Sequence, residues 1–297
     1  MRTIFLTGVE SFIGRELIRQ CGQQDIRVTG CDACEPRDSC FKRADIRDPS
    51  IADLIPEAAD ALVHLAALSR DQDCRGKAYA AFDVNVMGTL NLVEAAKARK
   101  VKQFVFASSE WVYDRFEEGR EKPEDDPVDP HKLTSEYAFS KLVSEVNLRQ
   151  QFAHGFCPTT ILRFGIIYGP RRDNWSAVES LLNAVATKDE VTVGSLKTAR
   201  RFVHVSDIAR GVLLALGLPG FEIVNLQGDR LVTLGEIVAE SARLTGKGPR
   251  VTETSPDRPS IRLVSNEKAR RLLSFTPKIG LAQGLRSVMD FLGIPAA

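Results

Sequence analysis

The chain has 297 residues, 43% hydrophobic and 27% charged, with 40 Lys and Arg against 39 Asp and Glu and a formal net charge of +1. That length suits about two domains with a sizeable core, and so even a charge balance gives no broad field for nucleic acid or an anionic membrane. No uncharged apolar run reaches the roughly 18 residues of a membrane span, and the opening strand gives way to Thr7-Gly8 too early for a secretory leader, so a membrane protein is excluded and a cytoplasmic location is expected.

Apolar spacing predicts a strand over Thr3 to Thr7, a helix over Phe12 to Cys21, and strands over Ile26 to Cys31, Phe41 to Ala44 and Ala61 to Leu65. A long amphipathic helix over Tyr79 to Arg99 follows, then a strand over Val101 to Ala107, a helix over Thr134 to Phe152 and a strand over Thr159 to Phe164. Strands that read as continuous apolar runs, separated by helices, imply a parallel sheet covered on both faces. The fold class is therefore α/β, a Rossmann-type doubly wound sheet. The stretch Arg115 to His131, rich in Glu, Asp and Pro, reads as a solvated loop. After residue 165 strands shorten, with Val191 to Val193 the clearest. Helices fit Trp175 to Thr187, Ser206 to Leu216, Thr233 to Leu244, Asn266 to Leu273 and Leu281 to Phe291.

Six cysteines stand at positions 21, 31, 34, 40, 74 and 157. Cys31 and Cys34 form a CxxC with Cys40 beyond it, but no second pair or nearby histidine completes a zinc set. Cys34-Glu35-Pro36 reads as a turn after a strand, which does not suit a redox pair opening a helix. Reduced thiols and no metal are expected.

Directly after the first strand comes Thr7-Gly8-Val9-Glu10-Ser11-Phe12-Ile13-Gly14, the spacing of a dinucleotide-binding turn with Ser11 in the place of its middle glycine. In such a turn the glycines allow the bend and close packing, and the helix N-terminus offers amides to a pyrophosphate. Asp32 lies 18 residues after Gly14. Its carboxylate suits ribose hydroxyls and repels a 2′-phosphate, which favours NAD, while Arg37 nearby leaves NADP open. Further on, Tyr137-Ala138-Phe139-Ser140-Lys141 places a phenol and an ammonium on one helical face. A free tyrosine titrates near pH 10; a neighbouring lysine cation favours its phenolate and fits it for proton transfer. Ser108-Ser109 ends the preceding strand, the end at which open α/β sheets bind ligands.

With these motifs the chain resembles the extended short-chain dehydrogenases, specifically the NAD-dependent epimerase/dehydratase family acting on nucleotide sugars. The likeness also includes Val63-His64-Leu65-Ala66-Ala67, Asn85-Val86-Met87-Gly88-Thr89, Tyr168-Gly169-Pro170-Arg171 and Arg200-Arg201-Phe202-Val203-His204-Val205-Ser206-Asp207. The resemblance implies Tyr137 as catalytic acid/base, Lys141 as modulator of its pKa and ribose ligand, and Ser109 as the hydroxyl on the reacting oxygen. It implies Gly8, Ser11, Phe12, Ile13 and Gly14 on the pyrophosphate, Asp32 on the adenosine ribose, Asp45 and Ile46 on the adenine, and Leu65, Ala66 and Ala67 along the cofactor. Arg200 and Arg258 would hold the substrate diphosphate, with Asn174 near the same pocket. It further implies residues 1–165 as an NAD-binding domain, 166–297 as a smaller C-terminal α/β substrate lobe with segments near 202–225 returning to the first, and a homodimer through the two long helices.

Departures from the family narrow the reaction. Sugar-nucleotide 4,6-dehydratases carry an Asp-Glu pair after the catalytic hydroxyl, where this chain has Glu110 and Trp111. Trp111 cannot abstract a proton, which disfavours dehydration; decarboxylases of the family, with a glutamate at that place, are disfavoured on the same ground. Ile166 stands where many epimerases have an asparagine that helps hold the diphosphate. The leading expectation is a nucleotide-sugar epimerase that passes hydride to tightly bound NAD and returns it to the other face of a keto intermediate. A dehydrogenase or ketoreductase on a sugar nucleotide is the alternative, and a non-catalytic nucleotide sensor a further one.

Overall fold

A computed structural model describes residues 1–113, 116 and 119–297. The expected acidic loop over 115–131 therefore lies partly outside the described residues, at positions 115, 117 and 118. Two compact units make up the chain: Met1–Arg115, Glu124–Phe164 and Ala209–Val224 form the first, and Phe116–Pro123, Gly165–Ile208 and Asn225–Ala297 the second. Ala209–Val224 thus lies in the first unit and 202–208 in the second.

The first unit is built on a sheet of strands β1 (Arg2–Thr7), β2 (Ile26–Asp32), β3 (Lys42–Arg43), β4 (Ala61–His64), β5 (Phe104–Ser109) and β6 (Thr159–Phe164). Their spatial order is β6-β5-β4-β1-β2-β3, with the later strand Phe221–Leu226 beside β6. These six strands pair in parallel. Ile4, Phe5, Leu6, Leu62, Phe104, Phe106 and Ile161 are fully buried, as a sheet covered on both faces requires. The order reverses between β1 and β4, the switch point beside which open α/β sheets bind ligands.

Three helices carry the features that matter for the site. Helix α1 (Phe12–Cys21) starts where Ser11 accepts the Gly14 amide. The predicted helix over 79–99 is Ala78–Phe82 running through a wider five-residue turn, Asp83–Met87, into α2 (Gly88–Ala98). Apolar periodicity does not register that widening, which occurs often at functional sites. Helix α3 (Glu136–Ala153) begins at Ser135, whose hydroxyl accepts the Ala138 amide. The expected strand over 101–107 begins at Phe104 instead, because Val101 still bonds back to Ala96 and Lys100 takes a left-handed turn with φ 52°.

The second unit packs Ala177–Thr187, Leu234–Thr245 and Leu281–Leu292 around Tyr168, Val178, Leu182, Ile237, Leu285 and Val288. The first two helices open with reciprocal caps, Ser176 with Glu179 and Thr233 with Glu236. Glu190–Val193 pairs in parallel with Arg250–Glu253. No helix among the described residues is long and apolar enough to cross a membrane.

His64 fastens the centre of the first unit. The Thr89 hydroxyl donates to the Asn85 carbonyl (2.6 Å), so it accepts from His64 Nε2 (3.0 Å). Nδ1 then accepts from the Thr7 hydroxyl (2.8 Å), whose oxygen receives the Ala66 amide (3.3 Å). This fixes a neutral imidazole, and burial, then the Lys141 charge, holds its pKa well below the ordinary value. The unfolded chain binds a proton on His64 near pH 6.5 that the folded chain refuses, so the stability this gives is complete above that pH and is lost as pH falls. Thermal melts between about pH 7 and pH 5 are expected to fall more steeply for the wild type than for His64→Gln; equal slopes would exclude His64 as the source.

Candidate functional site

The loop after β1 is shaped by two glycines. Gly8 has φ 79°, and its amide and that of Val9 reach the Cys31 carbonyl at 2.9 and 3.3 Å. A Cβ on Gly14 would run into the Gly8 carbonyl. Ser11 has ordinary extended backbone, φ −63° and ψ 160°, so a side chain fits there without strain. Its Oγ takes the Gly14 amide at 3.0 Å, so one helix-start donor already has a partner. Phe12 and Ile13 open the helix behind it. At the end of β2 the Asp32 carboxylate receives the Glu10 amide (2.9 Å) and the Cys34 amide (3.3 Å), which fixes it beside the loop with acceptor capacity left. Glu10 in turn pairs with Arg37, through the Arg37 amide at 2.9 Å and Nε at 3.4 Å. A tight turn, a helix start and a fixed carboxylate at the strand end are together what a dinucleotide needs.

The other residues expected along a cofactor are placed as follows. Leu65, Ala66 and Ala67 follow β4 and are half-buried; the Leu65 amide reaches the Thr7 carbonyl at 3.2 Å. Ile46 is buried against Gly88, where an added Cβ would come within 2.7 Å of its Cδ1. Asp45 gives both oxygens to Arg47, which also bonds Asp83, and this arginine holds the Asp45 carboxyl below its usual range.

Ser109, Tyr137 and Lys141 come together. Ser109 ends β5 and accepts the Trp111 amide at 3.2 Å, and its hydroxyl lies near enough to the Tyr137 phenol to pull its pKa down. One helical turn along α3, the Lys141 Nζ donates to the Ala107 carbonyl at 2.8 Å and stands 4.6 Å from the Phe106 ring centroid and 6.0 Å from that of Tyr137. Burial pushes Tyr137 up to about 12, against the pull of the Ser109 hydroxyl. Burial likewise brings Lys141 down to about 7, against the pull of Glu145. Each group is thus shifted towards its neutral form, and charge brought beside the pair has a large effect on both.

Two features behind these residues escaped the sequence reading. The Asn85 side chain, in the wide helical turn, donates to the Leu68 carbonyl (3.1 Å) and Ser140 Oγ (2.9 Å) and accepts the Leu68 amide (2.8 Å). Its own carbonyl takes the Ser144 hydroxyl at 2.9 Å. Beneath Ser109, the Ser108 hydroxyl donates to Glu145, which is clamped by Arg163 through Nη2 at 2.7 Å and Nε at 3.1 Å. The signal for Asn85 was its place in the Asn85-Val86-Met87-Gly88-Thr89 stretch; for Glu145 it was a carboxylate one turn after Lys141 on the same helix.

In the second unit the expected substrate residues are spread out. Arg200 turns its guanidinium to the Ala199 and Ser260 carbonyls and Ser260 Oγ. Arg258 is exposed two residues before that anchor, and Asn174 is exposed with φ 53°. Arg171 is tied to the buried Glu179 at 2.7 Å, and Glu179 also receives the Gly169 and Ser176 amides, which fixes the loop between them.

The Ser11 cap is open to direct measurement. Ser11→Ala is expected to cost about 1 kcal/mol of stability in urea unfolding and Ser11→Gly only a few tenths; equal losses would show that the hydroxyl is not what caps α1.

The chain is similar to proteins of known activity and structure. The chain is 28% identical over 313 residues to a dTDP-glucose 4,6-dehydratase of Streptomyces niveus, covering 97% of this chain and 92% of the other. It is 28% identical over 236 residues to a UDP-glucuronate 4-epimerase of Thermodesulfobacterium geofontis, covering 78% and 72%. The crystal structure of the Thermus thermophilus UDP-glucose 4-epimerase complexed with NAD superposes with a TM-score of 0.84 at 26% identity, over 98% of this chain and 99% of that one. The family model that matches residues 4–226 is that of the NAD dependent epimerase/dehydratase family, and the chain belongs to it.

Proposed function

We propose that the chain is a nucleotide-sugar epimerase, with Ser109, Tyr137 and Lys141 as its proton-transfer group. The observation that carries this is the buried Lys141 Nζ, 6.0 Å from the Tyr137 ring centroid and held on the Ala107 carbonyl at 2.8 Å, at the strand end where Ser109 lies near the Tyr137 phenol. Gly8, Ser11, Phe12, Ile13 and Gly14 hold the pyrophosphate, Asp32 the adenosine ribose, and Leu65, Ala66 and Ala67 flank the cofactor. Ile46 and Asp45 border the adenine, Asp45 with its carboxylate already engaged by Arg47. NAD held by these residues would supply a hydride acceptor and donor and, when oxidised, a positive charge that favours the phenolate. Tyr137 Oη takes the proton from the reacting sugar hydroxyl and gives it back to the same oxygen after inversion at its carbon. Ser109 Oγ holds that oxygen throughout, and the Lys141 ammonium favours the phenolate. The first unit is read as the cofactor domain and the second as the sugar-nucleotide domain, with Arg200, Arg258 and Asn174 as ligands of the substrate. A dehydrogenase or ketoreductase on the same site is the second reading; it differs in releasing a reduced or oxidised cofactor every cycle.

We further propose a homodimer through Ala78–Ala98 and α3. On these helices Tyr79, Met87, Phe139 and Val146 are large apolar side chains left exposed, Tyr79 at 86% and Met87 at 57%. Light scattering is expected to report a dimer for the wild type and a monomer for Val146→Glu; a monomeric wild type would overturn the interface.

Tyr137→Phe is expected to lower turnover by about 10²- to 10⁴-fold while NAD binding, followed by tryptophan fluorescence, stays intact. An epimerase converts a UDP-, GDP- or dTDP-sugar with no stoichiometric absorbance change in the reduced-nicotinamide band. Steady accumulation of reduced cofactor in that assay would replace the epimerase by the dehydrogenase.

A further inference from the structure

Within the second unit, Arg201 contrasts with the arginines around it. Arg200 has the Ala199 and Ser260 carbonyls, and Arg171 has Glu179 and the Ile167 carbonyl. Arg201 lies between the short strands Ala199–Arg200 and Val203–His204, and its carbonyl receives the Gly228 amide at 3.1 Å. Its side chain is only 14% exposed, yet among the described residues it has a single ion pair, Nη2 to Glu121 at 2.8 Å. Nε and Nη1 are buried and have no hydrogen-bond partner among the described residues. Buried donors on a charged group cost free energy unless something accepts from them, and each one that persists calls for an explanation such as an absent ligand.

The partner it does have suggests the ligand's chemistry. Glu121 is 40% exposed and sits beside Lys122, whose amide and carbonyl bond Leu263 and Ser265. The chain is therefore held at the next residue while the Glu121 carboxylate has solvent to move into. We propose that Arg201 is a receptor for anionic oxygens of the substrate, and that Glu121 is a placeholder which the bound anion displaces. This rests on the sugar-nucleotide reading given above and adds a specificity-determining residue to the Arg200 and Arg258 that the sequence motifs point to. The anion has two sources on one such molecule, the diphosphate or a carboxylate on the sugar. A guanidinium with several donors serves either.

The test is calorimetric titration of UDP, UDP-glucose and UDP-glucuronate into the full chain and into Arg201→Gln and Glu121→Gln, each with its melting temperature. Arg201→Gln is expected to weaken binding roughly tenfold or more. Glu121→Gln is expected to tighten the same ligands severalfold, because the guanidinium no longer has to release a carboxylate. A loss across all three ligands identifies the diphosphate as the source; a loss for UDP-glucuronate alone identifies the sugar carboxylate. Unchanged affinities in a well-folded Arg201→Gln, or weaker binding in Glu121→Gln, overturn the proposal. Should Arg201→Gln fail to fold, Glu121→Gln decides alone, with tightening in support and no change or weakening against. A wild-type chain that binds none of the three overturns the sugar-nucleotide reading, and with it the ligand named for Arg201.

Discussion

The buried carboxamide of Asn85 is the constraint on which the first unit depends. Through one side chain it fixes the loop that follows β4, by bonding both the amide and the carbonyl of Leu68, and it fixes α3 through Ser140. Its main-chain carbonyl takes two more hydroxyls, Thr89 and Ser144, and Thr89 leads on to His64 and so to β1 and β4. Leu65 to Ala67 and Tyr137 with Lys141 are therefore set by one network whose members are mostly out of water. In such a network a lost partner strands a polar group in a low dielectric, so the arrangement resists partial change.

That rigidity gives the burial of Tyr137 and Lys141 its chemical meaning. An ammonium over a phenyl ring, with a peptide carbonyl as acceptor, is held at the edge of neutrality. A phenol in the same apolar surroundings is pushed away from ionisation. Neither would serve proton transfer if the surroundings could relax to solvate the charge. The Glu145–Arg163 pair, one turn further along α3 and reaching β6, is buried at 3% and 5% exposure and keeps the helix seated on the sheet. An ion pair like this contributes little net stability, but breaking it leaves a bare buried charge, so the position of Lys141 is tightly determined. Glu145 also places negative charge near Lys141 and draws its ammonium back toward the charged state.

Much of this was legible in the sequence where the physics is local. Continuous apolar runs gave β6 its bounds and β1 within one residue, and the helical spacing of Phe12 to Cys21 gave α1. Gly8 and Gly14 were readable because a turn that tight tolerates no Cβ there, and Tyr137 with Lys141 because four residues is one helical turn. What escaped depends on partners far along the chain. The wide turn at Asp83–Met87 keeps the same apolar pattern as an unbroken helix, so periodicity is blind to it. That Asp45 is occupied by Arg47, which it shares with Asp83 36 residues further along, could not be known from local spacing. Of the adjacent pair Arg200 and Arg201, the resemblance singled out the first, and nothing local says that Ser260 satisfies one guanidinium while the other is buried against Glu121.

Similarity along the whole chain does not choose between the reactions of this family, since a dehydratase and an epimerase both match at 28% identity. The groups around the reacting oxygen are more discriminating. Removing water from a sugar requires a base that reaches the carbon next to the one oxidised, and a second acid for the leaving hydroxyl. Immediately after Ser109 this chain offers the buried Glu110 and the indole of Trp111, whose amide is spent on the Ser109 hydroxyl. An indole nitrogen donates and does not accept, so of the two adjacent positions only Glu110 carries a carboxylate, where dehydration asks for both an acid and a base. Proton transfer to and from a single hydroxyl needs no such base. In the proposed reaction Tyr137 with Ser109 would supply it, so the proposal asks of this chain no group beyond those at the end of β5 and the start of α3.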